Sequence, residues 1–384
     1  MIYLDNAATT KIAPEVLDAM MPYLTEQYGN AGSLYKAGRD ARDAVEKART
    51  QVSGLFSCDP SQIVFTSGGS ESNSMVFAGL RRKLLEAGKT HIVVSSIEHD
   101  SVIKAAKMLT KDGFDITFVK PSADGTISER TVESEIRETT GLVSVMFVNN
   151  ETGAVNDVAA IGNVCRKKGV LFHTDCVQAA GQYNLAMDDC MADFASISSH
   201  KTHGPKGVGA LYVRNMDSLD PIICGGAEQE HGLRGGTENV AGIVGFGTAA
   251  QIALQNDMET ISFLKQRFYM ALIYELENLG ITNGSIHVNG NPTVAPGKVL
   301  NLTIDGVDAQ TLLLMLYTMG VCVSAGSACR SHESEPSHVL MAMGRTAEQA
   351  RSSVRVSFSK YNTTDEVEGA AKVFADCVYT LKNM

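Results

Sequence analysis

The first candidate for chemistry in this chain is a lysine between two apolar segments. Lys201 lies in a polar turn, residues 198–207, which separates the strand-like segments 192–197 and 208–213. An ammonium crowded by serines and histidines between buried strands loses hydration, which favours the neutral, nucleophilic amine. Such a lysine can hold an aldehyde cofactor covalently. For Lys201 considered alone, the favoured interpretation is an ordinary loop lysine in a β-hairpin. The other candidate residues decide between that interpretation and a lysine that binds a cofactor.

A glycine turn that opens a helix is the second candidate. Residues 66–70 read Thr-Ser-Gly-Gly-Ser and follow an apolar strand. Backbone amides at a helix N-terminus, together with the hydroxyl of Ser70, can hold a phosphate. The alternative is a tight turn in which Ser70 caps the helix. The run matches neither a Walker loop nor the dinucleotide fingerprint.

Three polar side chains follow the ends of predicted strands. Asp175 and Gln178 follow one strand, and His99 follows another. An aspartate beneath a pyridinium nitrogen keeps that nitrogen protonated, and a histidine can stack on the same ring. Lys201 comes 26 residues after Asp175, which leaves room for one helix and the next strand. The side chains of Asp175 and Lys201 would then reach one edge of the sheet. The alternatives are that Asp175 only caps a helix and that His99 is only a loop residue.

A cysteine in a polar loop is the fourth candidate. Cys329 lies in a long segment of small residues, 324–336, which also contains Arg330 and His332. Neighbouring positive charge favours the thiolate, whereas structural cysteines are usually buried in apolar company. We therefore expect a reactive thiol on a loop rather than an incidental surface thiol.

An arginine inside a strand is the fifth candidate. Arg355 lies in the alternating segment 352–358. A guanidinium fork held by a strand suits bidentate recognition of a carboxylate. The alternative is a surface residue in a structural ion pair.

The elements around these residues predict an α/β fold. Apolar strands alternate with helical segments, which indicates βαβ units in a largely parallel sheet, and the apolar run 142–148 is predicted as one long strand. Ligands of such sheets bind at the carboxyl ends of the strands, where most of the candidates lie. A long helix, 258–279, then leads towards a smaller α+β domain. We predict a large domain of residues 15–257 and a small domain of residues 1–14 and 258–384.

Composition and charge narrow the possible partners. The chain has 384 residues, of which 44% are hydrophobic, and a formal net charge of −10, so neither nucleic acid nor an anionic membrane is expected as its main partner. We find no secretory signal and no apolar stretch near the roughly 18 residues of a membrane span, which predicts a cytoplasmic location. The eight cysteines are scattered without a CxxC pair, so neither a disulfide framework nor a metal site is predicted.

Taken together, these residues resemble a cysteine desulfurase essentially from end to end. The most specific matches are Ser-Ser-His-Lys at 198–201 with Gly-Pro-Lys-Gly at 204–207, and Ser-Ala-Gly-Ser-Ala-Cys at 324–329. The loop ending at 335–337 is similar to that of the long-loop branch. The resemblance implies a fold-type-I enzyme of the class V aminotransferase group, dependent on pyridoxal 5′-phosphate. It also implies a mostly parallel seven-stranded sheet in the large domain.

The resemblance implies a role for each candidate residue. Lys201 would bind the cofactor covalently and move protons, and Cys329 would take the sulfur of L-cysteine as a persulfide while L-alanine leaves. The other implied roles are ring stacking by His99, pairing of Asp175 with the ring nitrogen and of Gln178 with the phenolic oxygen, phosphate binding by Gly69, Ser70, Ser198 and His200, contact of Thr237 with the phosphate of the other subunit, and carboxylate binding by Asn30, Asn150 and Arg355. The protein is therefore expected to be a homodimer that passes sulfur to an acceptor protein.

Several segments depart from the family pattern. Tyr35 stands where a histidine is usual, residues 29–33 lack the usual proline, and Gly-Ser at 69–70 replaces the commoner Ala-Thr. Residues 225–231 lack the expected glycine triplet and arginine. We interpret these as changes at the rim and in loops that face partners. They leave the use of the sulfur open among iron–sulfur cluster biosynthesis, tRNA thiolation, thiamine or molybdenum cofactors and DNA phosphorothioation.

Other functions compete with this prediction. A selenocysteine lyase or a cysteine lyase would use the same cofactor without Cys329, and an aminotransferase would not need that thiol. From a different class, the protein could be a scaffold in a sulfur-transfer assembly with low intrinsic activity. High turnover of free cysteine with a reductant alone would weaken the scaffold hypothesis.

Overall fold

The computed structural model of the chain describes residues 1–226, 229–255, 258–290, 297–326 and 335–384. Strands and α-helices alternate through most of this part of the chain. The strands are β1 (Ile2–Tyr3), β2 (Ile63–Thr66), β3 (His91–Ser95), β4 (Asp115–Val119), β5 (Thr140–Ser144), β6 (Leu171–Asp175), β7 (Phe194–Ser198), β8 (Gly209–Val213), β9 (Ile286–Asn289), β10 (Val299–Ile304), β11 (Val321–Cys322) and β12 (Ser353–Ser357).

The α-helices cover the sheets on their faces. They are α1 (Pro14–Thr25), α2 (Lys36–Phe56), α3 (Gly69–Glu86), α4 (Asp100–Leu109), α5 (Glu129–Glu135), α6 (Val158–Lys168), α7 (Val240–Ala253), α8 (Met258–Asn278), α9 (Ala309–Thr318), α10 (His338–Ala342), α11 (Ala347–Arg351) and α12 (Thr364–Lys382). Among the described residues, no helix is both long enough and apolar enough to cross a lipid bilayer.

A seven-stranded sheet forms the centre of the molecule, in the order β2-β8-β7-β6-β5-β3-β4. The strands from β7 to β4 in this order are parallel, whereas β8 is antiparallel to both of its neighbours. Successive side chains of a strand point to opposite faces, and in β3 Val93 joins one apolar cluster while Ile92 and Val94 join another. Both faces of the sheet are therefore buried. This confirms the predicted mostly parallel seven-stranded sheet.

A second sheet and its helices enclose a separate apolar cluster. Strands β9, β10 and β12 form an antiparallel sheet in the order β12-β10-β9. The cluster beside it takes side chains from α8, α9 and α12, and Leu4 at the start of the chain also belongs to it. β1 pairs in parallel with β11. This arrangement agrees with a small domain that includes the N-terminus, while the boundaries 15–257, 1–14 and 258–384 stay a prediction.

The strand predicted over 142–148 is shorter than expected, because β5 ends at Ser144. Beyond that point the amides of Val145 and Phe147 still donate to backbone carbonyls of β6, those of His173 and Asp175. Met146 between them bonds to side chains: its amide donates to the carboxyl of Glu98 at 2.5 Å, and its carbonyl accepts from the side chain of Asn156 at 2.7 Å. Buried polar side chains thus take the place of backbone partners at Met146, which lines the cavity described below.

The helix predicted between Asp175 and the next strand is absent, since residues 176–193, all of which are described, form turns. Asp175 accepts the backbone N–H of Val177 at 2.9 Å, which starts a turn without a continuing helix. Gln178 is held by a hydrogen bond from its Nε2 to the carbonyl of Ala7 at 2.9 Å. The prediction that Asp175 and Lys201 reach one edge of the sheet is nevertheless correct.

Candidate functional site

One cavity, of about 190 Å³, lies where the parallel strands of the central sheet end. Ten of the thirteen predicted site residues line it. They are Gly69, Ser70, His99, Asn150, Asp175, Gln178, Ser198, His200, Lys201 and Arg355. The parallel sheet explains the convergence, because β3, β6 and β7 all deliver their carboxyl ends to the same edge.

Lys201 lies in the turn between the antiparallel strands β7 and β8. Its Nζ donates to the carbonyls of Ala7 and Ala8 at 2.6 and 2.7 Å. The N-terminal segment is fixed against this turn, since the amide and hydroxyl of Thr10 both donate to the carbonyl of His200, at 3.0 and 2.9 Å. The start of the chain therefore holds the amine at the cavity through backbone carbonyls.

The N-terminus of α3 forms an anion cradle at one end of the cavity. Gly68 precedes the helix with φ +151°, and Gly69 is its first residue. A Cβ on Gly69 would come within 2.7 Å of Val177, so only glycine allows this close approach. Ser70 and Ser198 add hydroxyls to the same cavity. Helix N–H groups and hydroxyls together suit a phosphate. The predicted cap is wrong in detail, because Gly68 and not Ser70 precedes the helix.

His200 completes the cradle as a neutral imidazole. Burial, followed by the positive charge of nearby lysines, lowers the pKa of His200 to about 4. Its Nδ1 lies 3.0 Å from the hydroxyl of Thr9. A neutral ring keeps one N–H to donate, so it can contact an anion without adding charge.

Asp175 lies at the base of the cavity and is only 4% exposed. Its Oδ2 accepts from Nδ2 of Asn73 at 2.8 Å, in addition to the bond from Val177. Glu98 is fully buried nearby, and burial together with the charge of Asp175 raises the pKa of Glu98 well above its usual value. The charged form of Glu98 is thus disfavoured, and it is the carboxyl of Asp175 that lines the cavity.

Arg355 is buried in β12, with an exposed fraction of 1%. All five residues of β12 are buried, so the alternative of a surface position for Arg355 is wrong. Nη2 of Arg355 donates to Asp5 at 2.8 Å, and Nη1 donates to the carbonyl of Asn150 at 2.9 Å. Its Nε has no partner within the described residues. The two bonds from its terminal nitrogens hold the guanidinium in place.

Further buried polar atoms on cavity residues have no partner within the described part of the chain. They are Oδ1 of Asn73 and Oε1 of Gln178. A buried polar atom without a hydrogen bond is costly, so native sites rarely keep several together. These atoms, with Nε of Arg355, indicate that the cavity is built for a polar ligand.

Lys298 is a buried lysine beside the turn that carries Lys201. It is 6% exposed, and its Nζ donates to the carbonyl of Lys201 at 3.3 Å. Burial, and then the positive charges of Lys201 and Arg355, lowers the pKa of Lys298 to about 7. The folded protein therefore disfavours the charged form of this side chain.

We expect Lys298→Met to stabilise the protein most at low pH. Below about pH 7 both folded and unfolded chains hold the proton, so the folded state bears the full cost of a buried ammonium. Between pH 7 and 10.5 the unfolded chain binds more protons, and the cost declines as pH rises. The free energy of unfolding should increase by roughly 1–3 kcal/mol near pH 6 and by little near pH 10.

Denaturant unfolding at the two pH values checks this, with Lys206→Met at an exposed position as the control. An equal gain at both pH values would assign the effect to packing instead of charge.

Asn30 and Thr237 are predicted site residues that do not line the cavity, and a third predicted residue is not described. Asn30 is exposed in the loop before α2, where its side chain accepts from the amide of Gly32 at 2.8 Å. Thr237 is also exposed and lies in the segment that precedes α7. Cys329 lies outside the described residues. The roles of all three stay predictions.

The sequence did not single out several residues that line the cavity, among them Asn73 and Ser101. Asn73 follows Gly69 by one helical turn, which places both on the same side of α3. Ser101 lies in the first turn of α4, next to His99. Their short spacing from Gly69 and His99, which the sequence analysis had chosen, was the signal that could have identified Asn73 and Ser101 as site residues.

Comparison with known proteins agrees with this geometry. The profile of the family described as Aminotransferase class-V matches residues 2–369. The protein named Cysteine desulfurase IscS of Methanosarcina thermophila is 38% identical over 386 residues, which cover 100% of this chain and 93% of that protein. Among solved structures, a NifS-like protein superposes with a TM-score of 0.89 at 33% identity and full coverage of both chains. The structure described as SspA in complex with cysteine has a TM-score of 0.81 at 35% identity, and the match covers 94% of this chain and 100% of that one.

Proposed function

The chain belongs to the aminotransferase class-V family, and from this premise we propose how its residues carry out the reaction of a cysteine desulfurase. The full-length similarity to cysteine desulfurases supports this activity on L-cysteine and its dependence on pyridoxal 5′-phosphate. One observation carries the assignment of residues. Lys201, Asp175 and Arg355 come from three distant parts of the chain and line one cavity.

The residues of the cavity fit pyridoxal phosphate. The cradle of Gly69, Ser70, Ser198 and His200 suits its phosphate, Asp175 offers a carboxyl group to the ring nitrogen, and Gln178 is assigned to the phenolic oxygen. His99 is assigned to the face of the ring. When bound, the cofactor supplies an electron sink that allows the carbon–sulfur bond of the substrate to break. The protein supplies orientation and proton transfer.

Lys201 is the group that binds the cofactor covalently and moves protons. Its Nζ donates to two backbone carbonyls, those of Ala7 and Ala8. These acceptors are fixed by the N-terminal segment, so the amine returns to one position whenever it is released. A base that returns to one place can remove and deliver protons at Nζ in successive steps.

Arg355 binds the carboxylate of L-cysteine. Asp5 and the carbonyl of Asn150 each accept one hydrogen bond from a terminal nitrogen, and the guanidinium has five N–H groups, so donors remain for the substrate. Asn150 lines the cavity beside it and provides a further amide. Since the fork cannot rotate, the carboxylate sets the orientation of the rest of the substrate.

Arg355→Ala should raise KM for L-cysteine by about 10- to 100-fold, because a charge-assisted hydrogen bond to the substrate is lost. Arg355→Lys keeps the charge without the fork and should recover only part of the loss. Steady-state kinetics check this, with bound-cofactor absorbance as a test of folding in both variants. An unchanged KM in a folded variant would move carboxylate binding to another residue.

Cys329 is the sulfur acceptor within the chain. Its thiolate attacks the substrate sulfur, the carbon–sulfur bond breaks and a sulfur–sulfur bond forms, so L-cysteine and one thiol become L-alanine and one persulfide. Cys329 is the third residue after Gly326, and three residues of extended chain span at most about 11 Å. Gly326 and Ser337, on either side of the cysteine, both approach the carboxyl of Glu151. Glu151 directly follows Asn150 of the cavity.

The homodimer and the role of Thr237 are parts of the same proposal. Thr237 does not line the cavity of its own chain, which agrees with a contact to the cavity of a second copy. The segment before it is firmly anchored, because Glu230 accepts from both Nη1 and Nη2 of Arg49 at 2.8 Å and from the amide of Phe65 at 2.6 Å. Light scattering should give twice the mass of one chain. A cytoplasmic location and an acceptor protein of unknown identity complete the proposal.

The decisive experiment is an absorbance spectrum of the purified protein before and after addition of L-cysteine, with alanine and sulfide measured in the same tube. A visible band that shifts, with equal amounts of alanine and sulfide, supports a desulfurase. A band without alanine would indicate another reaction at the same cofactor. The absence of any band after addition of pyridoxal phosphate would refute the assignment of Lys201.

A further inference from the structure

Four side chains on the wall of the cavity form a continuous hydrogen-bonded chain. Nδ2 of Asn73 lies 2.8 Å from Oδ2 of Asp175 and 2.9 Å from Oγ of Ser101. Oγ of Ser101 lies 2.8 Å from Nδ1 of His99. This hydrogen-bonded chain joins Asp175, which is assigned to the ring nitrogen of the cofactor, with His99, which is assigned to the face of its ring. Three separate elements contribute to it, namely β6, α3 and the start of α4.

The direction of each bond follows from chemistry. A carboxylate only accepts, so the side chain of Asn73 must present its NH₂ group to Asp175. The same NH₂ group has a second hydrogen, which it donates to the hydroxyl of Ser101. Ser101 accepts that bond with its oxygen and keeps one hydrogen to donate, and the next atom in line is Nδ1 of His99.

An independent bond gives the same result at His99. The backbone N–H of Ser101 donates to Nδ1 of His99 at 3.2 Å, which makes His99 the N-cap of α4. A backbone amide is only a donor, so this longer contact also favours an unprotonated Nδ1. A neutral imidazole with an unprotonated Nδ1 carries its hydrogen on Nε2.

We propose that Asn73 and Ser101 are positioning residues that transmit the charge of Asp175 to His99 and keep the histidine in its Nε2–H form. The inference rests on the function proposed above, because it gives these residues a purpose only if Asp175 and His99 act on one cofactor. Neither Asn73 nor Ser101 needs to touch the reacting atoms. Each acts through the next residue of the chain.

The burial of the chain makes the coupling effective. Asn73 is 1% exposed and Asp175 is 4% exposed, so water competes little for these bonds. If Asp175 lost its charge, it would no longer require a hydrogen-bond donor from Asn73, and the amide of Asn73 could turn. The hydroxyl hydrogen of Ser101 could then turn away from Nδ1 of His99. His99 could then take up a hydrogen at Nδ1, against only the weaker backbone contact. A change in the charge of Asp175 would thus change the tautomer of His99.

Nitrogen NMR of the protein labelled with ¹⁵N-histidine tests the tautomer directly. Two-bond couplings from ring protons distinguish the Nε2–H from the Nδ1–H form, and His99→Gln assigns the signal among the nine histidines. We expect the Nε2–H form in the cofactor-free wild type and a mixture of both forms in Ser101→Ala. An Nδ1–H form in the wild type, or identical signals in the two proteins, would overturn the proposal.

Kinetics of single and double variants test the connection. Asn73→Ala and Ser101→Ala should each lower kcat about 3- to 10-fold with KM within about twofold, and the double variant should be no slower than the slower single variant. Ser96→Ala is the matched control, because this serine precedes the same helix and its hydroxyl has no partner among the described residues. Additive losses in the double variant, or unchanged kcat in both single variants, would contradict a relay.

The two proposals fail in different ways. A wild-type protein that binds no cofactor or releases no alanine would refute the proposed function. The histidine signals of the cofactor-free protein would still decide whether the chain from Asp175 to His99 fixes the tautomer.

Discussion

Lys201→Ala should give a colourless, inactive protein that folds normally. The methyl group of alanine cannot form a covalent bond to the cofactor aldehyde, and it removes the amine that returns protons to the substrate. We expect alanine production to fall by more than about a thousandfold, since the loss of a nucleophile that also acts as base has effects of this size or larger. The two carbonyls that accept from Nζ, those of Ala7 and Ala8, lie on a segment fixed by Thr10, so the fold should survive.

Lys206→Ala is the matched control for this variant. Lys206 lies in the same turn but is exposed, so its removal should leave both colour and activity close to those of the wild type. Thermal unfolding of the two variants shows whether either change disturbs the turn. A visible band that persists in Lys201→Ala at the wild-type wavelength would mean that another amine holds the cofactor, and Lys298 would be the first residue to examine.

The sequence predicted the parts of the site that follow from the sheet. Asp175, Lys201 and His99 were chosen because they follow apolar strands, and parallel strands must bring their carboxyl ends together. The rule is insensitive to errors in the elements between the strands. The predicted convergence of these residues is correct although the helix expected after Asp175 is a series of turns. It is also correct although the strand predicted over 142–148 ends four residues early.

The polar contacts behind these residues could not be predicted in the same way. Asn73 on α3 resembles any polar residue of an exposed helix, and only the packing of α3 against the sheet brings it to Asp175. Lys298 was not singled out from the sequence, yet it is buried beside Lys201. Local patterns carry no information on which distant backbone will cover a residue.

The placement of Asn30 and Thr237 shows the limit of a residue-by-residue transfer. Both were assigned by resemblance, and neither lines the cavity of a single chain. Thr237 was expected to act on a second copy, so its exposure is compatible with the assignment. Asn30 has its side chain engaged with Gly32, and a contact with substrate would require that bond to be replaced.

Cys329→Ser should retain the colour and lose sulfur transfer. A serine hydroxyl is almost fully protonated at neutral pH and cannot accept sulfur, while the cavity residues that bind the cofactor and L-cysteine remain. In a single turnover without reductant, the wild type should form one alanine and one persulfide per site, and the variant neither. The spectral change on addition of L-cysteine should persist, because it depends on Lys201 and Arg355. Mass spectrometry of the intact protein detects the added sulfur.

Cys224→Ser provides the control for this result, since Cys224 is an exposed thiol far along the chain from Cys329. It should form persulfide at the wild-type rate, which would show that exposure alone does not make a thiol the acceptor. Sulfide release at the wild-type rate from Cys329→Ser would mean that sulfur leaves the substrate without a protein thiol. The enzyme would then be a lyase that uses the same cavity, and the loop cysteine would have no part in the reaction.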